Sequence, residues 1–162
     1  GNAKGKNDLW VLPLEGDRMP RPLVQDEFNK SGAKFSADDK WVAYVSDESG
    51  RAEVYVQPFP GLGAKYQVST TGGFNPSWRR DGKELLYISN DRKLMALELN
   101  AGARFEPGLP KALFDISMRG AGGRSIFGVS GDGQRFLTSD ISESSTPSPI
   151  TVVLNWTADL KR

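Results

Sequence analysis

Trp78-Arg79-Arg80-Asp81-Gly82-Lys83-Glu84-Leu85-Leu86-Tyr87 is a hairpin written in sequence. An apolar residue leads into a polar stretch centred on Asp-Gly, and a β-rich run follows. Asp-Gly between apolar runs is a strong hairpin signal, because both residues tolerate a positive φ that suits the strand twist. The same figure stands upstream as Phe35-Ser36-Ala37-Asp38-Asp39-Lys40-Trp41-Val42-Ala43-Tyr44. It stands downstream as Val129-Ser130-Gly131-Asp132-Gly133-Gln134-Arg135-Phe136-Leu137-Thr138. The copies begin 43 and 51 residues apart, in or near the range of propeller blades. The pattern predicts turns at 38–39, 81–82 and 132–133.

Each hairpin is followed by a further strand pattern, at Glu53–Phe59, Lys93–Leu99 and Ile150–Trp156, and a copy without a hairpin before it stands at Asp8–Leu14. Short strands trail three of these, at Arg21–Gln25, Tyr66–Ser69 and Lys111–Phe114. The unit is thus four strands, A to D, with apolar residues on both sides of strand C, as a sheet packed between neighbours requires. Pro13 and Pro58 fall at strand ends, where a missing ladder donor is tolerated. The stretch Ala101–Gly108 reads as a loop. The fold class expected is all-β: a partial propeller of four-stranded antiparallel blades forming one domain. Residues 1–28 hold the outer strands of an incomplete blade 0, 29–70 blade 1, 71–116 blade 2, and 117–162 an incomplete blade 3.

Pro76-Ser77-Trp78 with Asp81-Gly82-Lys83 and Tyr87, followed by a strand of the Val54-Tyr55-Val56 type, resembles the repeat of TolB-like β-propellers over about residues 7–156. Asp47–Arg51, Val54–Pro60 and Pro149–Trp156 resemble further the C-terminal propeller of some bacterial serine/threonine kinases. No kinase motif accompanies them: there is no Gly-rich loop after a strand, no His-Arg-Asp and no Asp-Phe-Gly. Two copies depart from the repeat. Ala37-Asp38-Asp39 stands where the family has Pro-Asp-Gly, and Arg79-Arg80 where it has Ser-Pro. Both changes are compatible with a turn. The resemblance implies a non-catalytic protein- or ligand-binding module and leaves an extracytoplasmic location open.

Composition agrees with a folded β domain. Of 162 residues, 38% are hydrophobic and 25% charged, which is neither a disordered nor a membrane-spanning composition. No apolar run has the length of a transmembrane helix, and no signal-peptide pattern opens the sequence. Twenty-one Lys and Arg against 20 Asp and Glu give a net charge of +1, so neither nucleic acid nor membrane insertion is expected. There is no Cys, which rules out disulfides and leaves the redox compartment unreadable. There is no His, which removes Ser-His-Asp catalysis, imidazole acid–base chemistry and most transition-metal sites.

No catalytic residue, cofactor or metal is therefore expected. Asp38, Asp39, Asp81 and Asp132 invite a calcium reading, and Ser130–Gly133 a sialidase-type Asp-box. Turn formation accounts for all of them. Trp41, Tyr44, Tyr55, Trp78, Tyr87 and Trp156 sit where blade packing needs bulk, and core filling is expected before any stacking platform. The alternative function is a ligand-sensing or carbohydrate-active propeller with a carboxylate site. Such a site needs two carboxylates across a cleft, and no spacing shows the pair.

Binding candidates come from position. Lys34, Asn75, Arg79, Arg80, Arg119 and Arg124 lie near the ends of innermost strands, where they would line a channel mouth suited to an anionic ligand. Irregular loop length gathers in the B–C and D–A connections, which open on one face while the A–B turns stay tight, and loops carry function. The expected strands number thirteen, three blades and one strand over. Three blades fall below the usual four to eight, so the chain is expected to self-associate, with a dimer favoured, through its open blade edges. An unidentified protein or peptide partner completes the expectation.

Overall fold

A computed structural model describes residues 5–60, 63–99, 105–116 and 127–138. Its strands are β1 (Leu9–Val11), β2 (Arg21–Val24), β3 (Lys30–Phe35), β4 (Trp41–Ser46), β5 (Glu53–Pro58) and β6 (Tyr66–Gln67). There follow β7 (Gly73–Trp78), β8 (Glu84–Ser89), β9 (Lys93–Glu98), β10 (Lys111–Asp115), β11 (Phe127–Val129) and β12 (Phe136–Thr138). No helix occurs among the described residues. Two sheets are four-stranded meanders, β3-β4-β5-β6 and β7-β8-β9-β10, and two are antiparallel pairs, β1-β2 and β11-β12. The sheets β3–β6 and β7–β10 are called blades 1 and 2 below, the pair β1-β2 blade 0 and the pair β11-β12 blade 3. The strand expected at Ile150–Trp156 lies outside the described residues, as do Ala101–Arg104.

The period-2 alternation of each central strand sends its side chains to two different neighbours, so these sheets are covered on both faces. In β4, Val42 and Tyr44 join Tyr55 against Leu9, Leu23 and Val24 of blade 0. Ala43 between them turns the other way, joining Val54, Val56 and Val68 against Leu85, Tyr87, Leu97 and Phe105 of blade 2. The figure repeats one blade on. Leu86, Ile88, Leu94, Ala96 and Ile116 face Phe127 of blade 3, with Phe74, Val129 and Phe136 around them. Val42, Ala43, Tyr44, Leu85, Leu86 and Ile88 are each at most 1% exposed. At about 1.5–3 kcal/mol for each large apolar side chain, these side-chain layers are the main force joining blade to blade.

The turns differ from the mirror-image type that Asp-Gly suggests. Only the second residue of each pair has a positive φ: 56° at Asp39, 72° at Gly82 and 69° at Gly133. The first residue keeps an ordinary backbone and serves as a cap. Lys40, Lys83 and Gln134 donate their backbone N–H to Oδ1 of Asp38, Asp81 and Asp132, at 3.2, 3.1 and 3.0 Å. The turns close with Asp39, Gly82 and Gly133 N–H donating to the carbonyls of Ser36, Arg79 and Ser130.

Core filling holds for Tyr44, Tyr55 and Tyr87, all within 3% of full burial, while Trp41 and Trp78 are half-buried against the core between blades 1 and 2. Trp156 lies outside the described residues. Phe35, the counterpart of Trp78, is 47% exposed and lies edge-to-face with Phe59, with ring centroids 4.8 Å apart. The position before the turn therefore caps the rim of the core instead of filling its centre.

Candidate functional site

The innermost strands carry a shared irregularity. In β3 the register passes from Ser31↔Val45 to Lys34↔Ala43, so two residues oppose Tyr44 alone. In β7 it passes from Phe74↔Ile88 to Ser77↔Leu86, and two residues oppose Tyr87. The first extra residue has a left-handed backbone in each case, Gly32 at φ 63° and Asn75 at φ 55°. Gly adopts that conformation freely, and Asn is among the few other residues that do so readily. Asn75 thus has a backbone reason for its place, whatever its side chain also meets.

Beyond the bulge, β3 and β7 run side by side to the A–B turns. The Trp78 indole Nε1–H donates to the Lys34 carbonyl over 2.9 Å, which fixes Lys34 beside the end of β7. The ammonium of Lys34 is on an exposed residue, and Arg80, two residues past Trp78, is exposed as well. Arg79 between them is committed inward. Its guanidinium pairs with Glu84 at 2.9 Å and Asp81 at 3.0 Å, and the Glu84 hydrogen bond, ahead of the other charges, holds it above its ordinary pKa.

Arg79 also reaches the next blade. A Cβ at Gly133 would run into the Arg79 guanidinium, and one at Gly131 would stand 3.6 Å from Arg80 Nη1. The two arginines therefore lie along the A–B turn of blade 3, and Nε of Arg79 is buried with no hydrogen-bond acceptor of its own. Of the six binding candidates, Lys34 lies near the end of β3, Arg79 and Arg80 lie just past the end of β7, and Asn75 lies within β7. Arg119 and Arg124 lie outside the described residues.

The carboxylates of the repeated turns act within the turns. Asp38 accepts from Ser36 Oγ at 2.7 Å and Asp132 from Ser130 Oγ at 2.5 Å, and these hydroxyl bonds are the leading cause of their lowered pKa values. Each serine in turn accepts a backbone N–H, from Trp41 at 3.0 Å and Arg135 at 2.9 Å. In the middle copy the Arg79 guanidinium takes the place of the serine hydroxyl beside Asp81. No group of three or more side chains suited to holding a metal occurs among the described residues.

Two features escaped the sequence. A cleft of about 390 Å³ opens between blades 1 and 2, lined by Gln67, Thr70, Thr71, Met95, Leu97 and Leu109 among others. Its walls come from separate blades, and no local pattern marks it. Beneath the crossing from blade 1 to blade 2 sits Glu53, 1% exposed. Its carboxylate accepts the Gly72 N–H at 2.8 Å and the Ser69 hydroxyl, while Arg51 Nε stands 3.4 Å away. A charged residue opening an apolar strand, sixteen residues before a Ser, is too ordinary a pattern to have announced this.

No protein-family model and no curated protein matches the chain. Among solved structures it is similar to "putative TolB from Agrobacterium tumefaciens", with a TM-score of 0.54 and 16% identity, over 67% of this chain and 41% of that one. It is also similar to TolB from Acinetobacter baumannii, with a TM-score of 0.49 and 18% identity, over 85% of this chain and 44% of that one. The chain thus spans less than half the length of either of these TolB chains. Blade architecture, strand order and the first of these likenesses agree: the chain has the fold of a TolB-like β-propeller.

Proposed function

We propose that this chain is a non-catalytic binding module that engages an acidic protein or peptide segment at the A–B rim of its innermost strands. The observation that carries the reading is the pairing of roles there. The aspartates and Arg79 are used up in shaping the turns, while Lys34 and Arg80 stand exposed on either side of the half-buried Trp78. No salt bridge engages Lys34 or Arg80 among the described residues. Two free cations flanking an aromatic edge suit a carboxylate-bearing extended segment, which gains charge attraction and apolar contact together. In this reading the module works as a self-assembled ring, the form in which the inner rims enclose a channel.

The test is a selection of random displayed peptides on the purified protein, repeated with the variant Lys34→Glu/Arg80→Glu. Acidic peptides should be enriched on the wild type, bind more weakly as salt rises, and be lost on the variant with its circular dichroism unchanged. Enriched peptides that bind both proteins equally would remove Lys34 and Arg80 from the site.

A further inference from the structure

Tyr44 and Tyr87 hold the same place in blades 1 and 2, but only one of them has a partner for its hydroxyl. The ladder of blade 1 sets Tyr44 opposite Tyr55 and Val42 opposite Gln57. That of blade 2 sets Tyr87 opposite Met95 and Leu85 opposite Leu97. Tyr44 Oη donates to Gln57 Oε1 over 3.2 Å. Leu97 stands where Gln57 stands and has no atom to accept such a bond. Tyr87 is 3% exposed, and its hydroxyl has no hydrogen-bond partner among the described residues. A polar group so deeply placed and unpaired calls for an explanation in any native fold. Tyr87 lines the cleft between blades 1 and 2, which is where a partner can reach it.

A second difference between the repeats makes the room. Tyr55 stacks on Tyr44 with ring centroids 6.1 Å apart, and the two rings fill the contact with Leu9, Leu23 and Val24. In blade 2 that position is Met95, a thinner, unbranched side chain that is half-buried. The cleft beside it measures about 390 Å³, at the lower end of the range of small-molecule sites. Its apolar lining includes Met95, Leu97 and Leu109, the last 86% exposed. Its hydroxyls come from Tyr87, Thr70 and Thr71, and no charged residue lines it.

Burial, and after it the charge of Glu53, pushes the Tyr87 hydroxyl up to about 12. Near neutral pH the group is therefore an uncharged O–H donor, and a carbonyl oxygen is its matching acceptor. An ionised ligand would leave water for a lining that holds no opposite charge, which is costly. We propose that the cleft binds a small uncharged molecule with a carbonyl on an apolar body, the carbonyl accepting from the Tyr87 hydroxyl and the body lying against Met95, Leu97 and Leu109. Methionine is flexible and polarizable, so Met95 can follow the shape of that body. The cleft shares no residue with the rim of Lys34 and Arg80, so neither reading depends on the other.

Benzamide carries this chemistry, and benzoate has the same shape with a negative charge. Titrated into the full chain and followed by NMR, benzamide should bind in the millimolar range, as its few atoms allow, and shift the backbone amides of Thr71, Met95 and Leu109. Benzoate should bind at least about tenfold more weakly. Tyr87→Phe should weaken benzamide about two- to tenfold, the worth of one hydrogen bond. The same change should leave the melting temperature where it is, having no internal bond to remove, whereas Tyr44→Phe should lower it. Met95→Tyr restores the residue of blade 1 and should abolish binding while keeping the β-sheet spectrum. Equal binding of benzamide and benzoate, or shifts confined to residues outside the cleft, would overturn the proposal. So would a Tyr87→Phe or Met95→Tyr protein that binds benzamide as the wild type does, or a wild type that binds none at millimolar concentration.

Discussion

Glu53→Ala should destabilise the protein by about 2–4 kcal/mol, and the figure can be built bond by bond. The substitution removes the acceptor of the Gly72 N–H, at 2.8 Å in a buried setting, and an orphaned buried donor costs about 1–3 kcal/mol. It also removes the acceptor of the Ser69 hydroxyl, which must still accept the Val54 N–H at 2.8 Å. Hydrogen bonds to a charged group are worth about 1.5–3 kcal/mol, against which the change releases a buried carboxylate from its desolvation cost. The Arg51 pair adds little, since that side chain is 61% exposed. Glu53→Gln keeps one acceptor in place and should cost less than half as much. Urea titration followed by tryptophan fluorescence measures both. The reasoning fails if Glu53→Ala costs under about 1 kcal/mol, or if Glu53→Ala and Ser69→Ala add without coupling, because residues sharing one network should couple by 0.5 kcal/mol or more.

Gly82→Ala, with a φ of 72° and open space around it, should cost about 1 kcal/mol from backbone strain alone. Gly133→Ala should cost more, because its Cβ would meet an Arg79 held in place by two carboxylates, and the added Arg79→Ala change should recover the difference in a denaturant titration. Ser36→Ala, at a residue 6% exposed, should cost about 1–2 kcal/mol through the stranded Trp41 N–H, and Ser130→Ala in its more open turn should cost visibly less. Asp38, Asp47, Asp91 and Asp132 are each held below their ordinary pKa of 3.8, first by a side-chain hydrogen bond from Ser36, Asn29, Ser89 and Ser130 in turn. Their contribution is whole above that value and is lost as pH falls through the lower folded-state values, so the melting temperature should drop on acidification below pH 3.8. Burial raises Tyr44, and pushes Tyr87 from 10.0 up to about 12. Stability should therefore hold below pH 10.0 and fall as pH climbs toward about 12, with tyrosinate absorbance rising only as the sheet signal is lost.

The blade plan was readable because it rests on local chemistry repeated several times. Asp38, Asp81 and Asp132 cap their turns through bonds that span two residues, and such bonds leave a signature in sequence. The alternation in Val42-Ala43-Tyr44 was equally plain, since one side chain must serve each neighbouring blade. The turn type was misjudged because the Asp-Gly pair suits two hairpin geometries, and the cap made by the aspartate favours the one that needs a single positive φ. Trp78 was expected deeper than it lies, since apolar character does not say whether a residue fills a core or closes its rim. Arg79 looked like a free cation because its carboxylates, Asp81 and Glu84, read as turn and strand residues. The Glu53 latch and the interblade cleft stayed hidden because both depend on where one blade ends against the next.

The unbroken order of each meander has a bearing on how the chain reaches its native state. Among the described residues every ladder joins strands consecutive in sequence, and the six pairs from Trp41↔Pro58 to Ser46↔Glu53 close over only the residues 47–52. The entropy lost in closing so short a loop is small, and topologies built from near neighbours in sequence assemble fast. No ladder crosses from one blade to another among the described residues, so a blade can zip before its neighbours arrive. Docking then adds one apolar layer at a time, as in other linear repeat proteins. Protection against hydrogen exchange should accordingly be greatest at β4, β5, β8 and β9, which are enclosed on both faces, and should fade toward β1 and β12. Uniform protection from end to end would mean instead that the array folds as a single cooperative body.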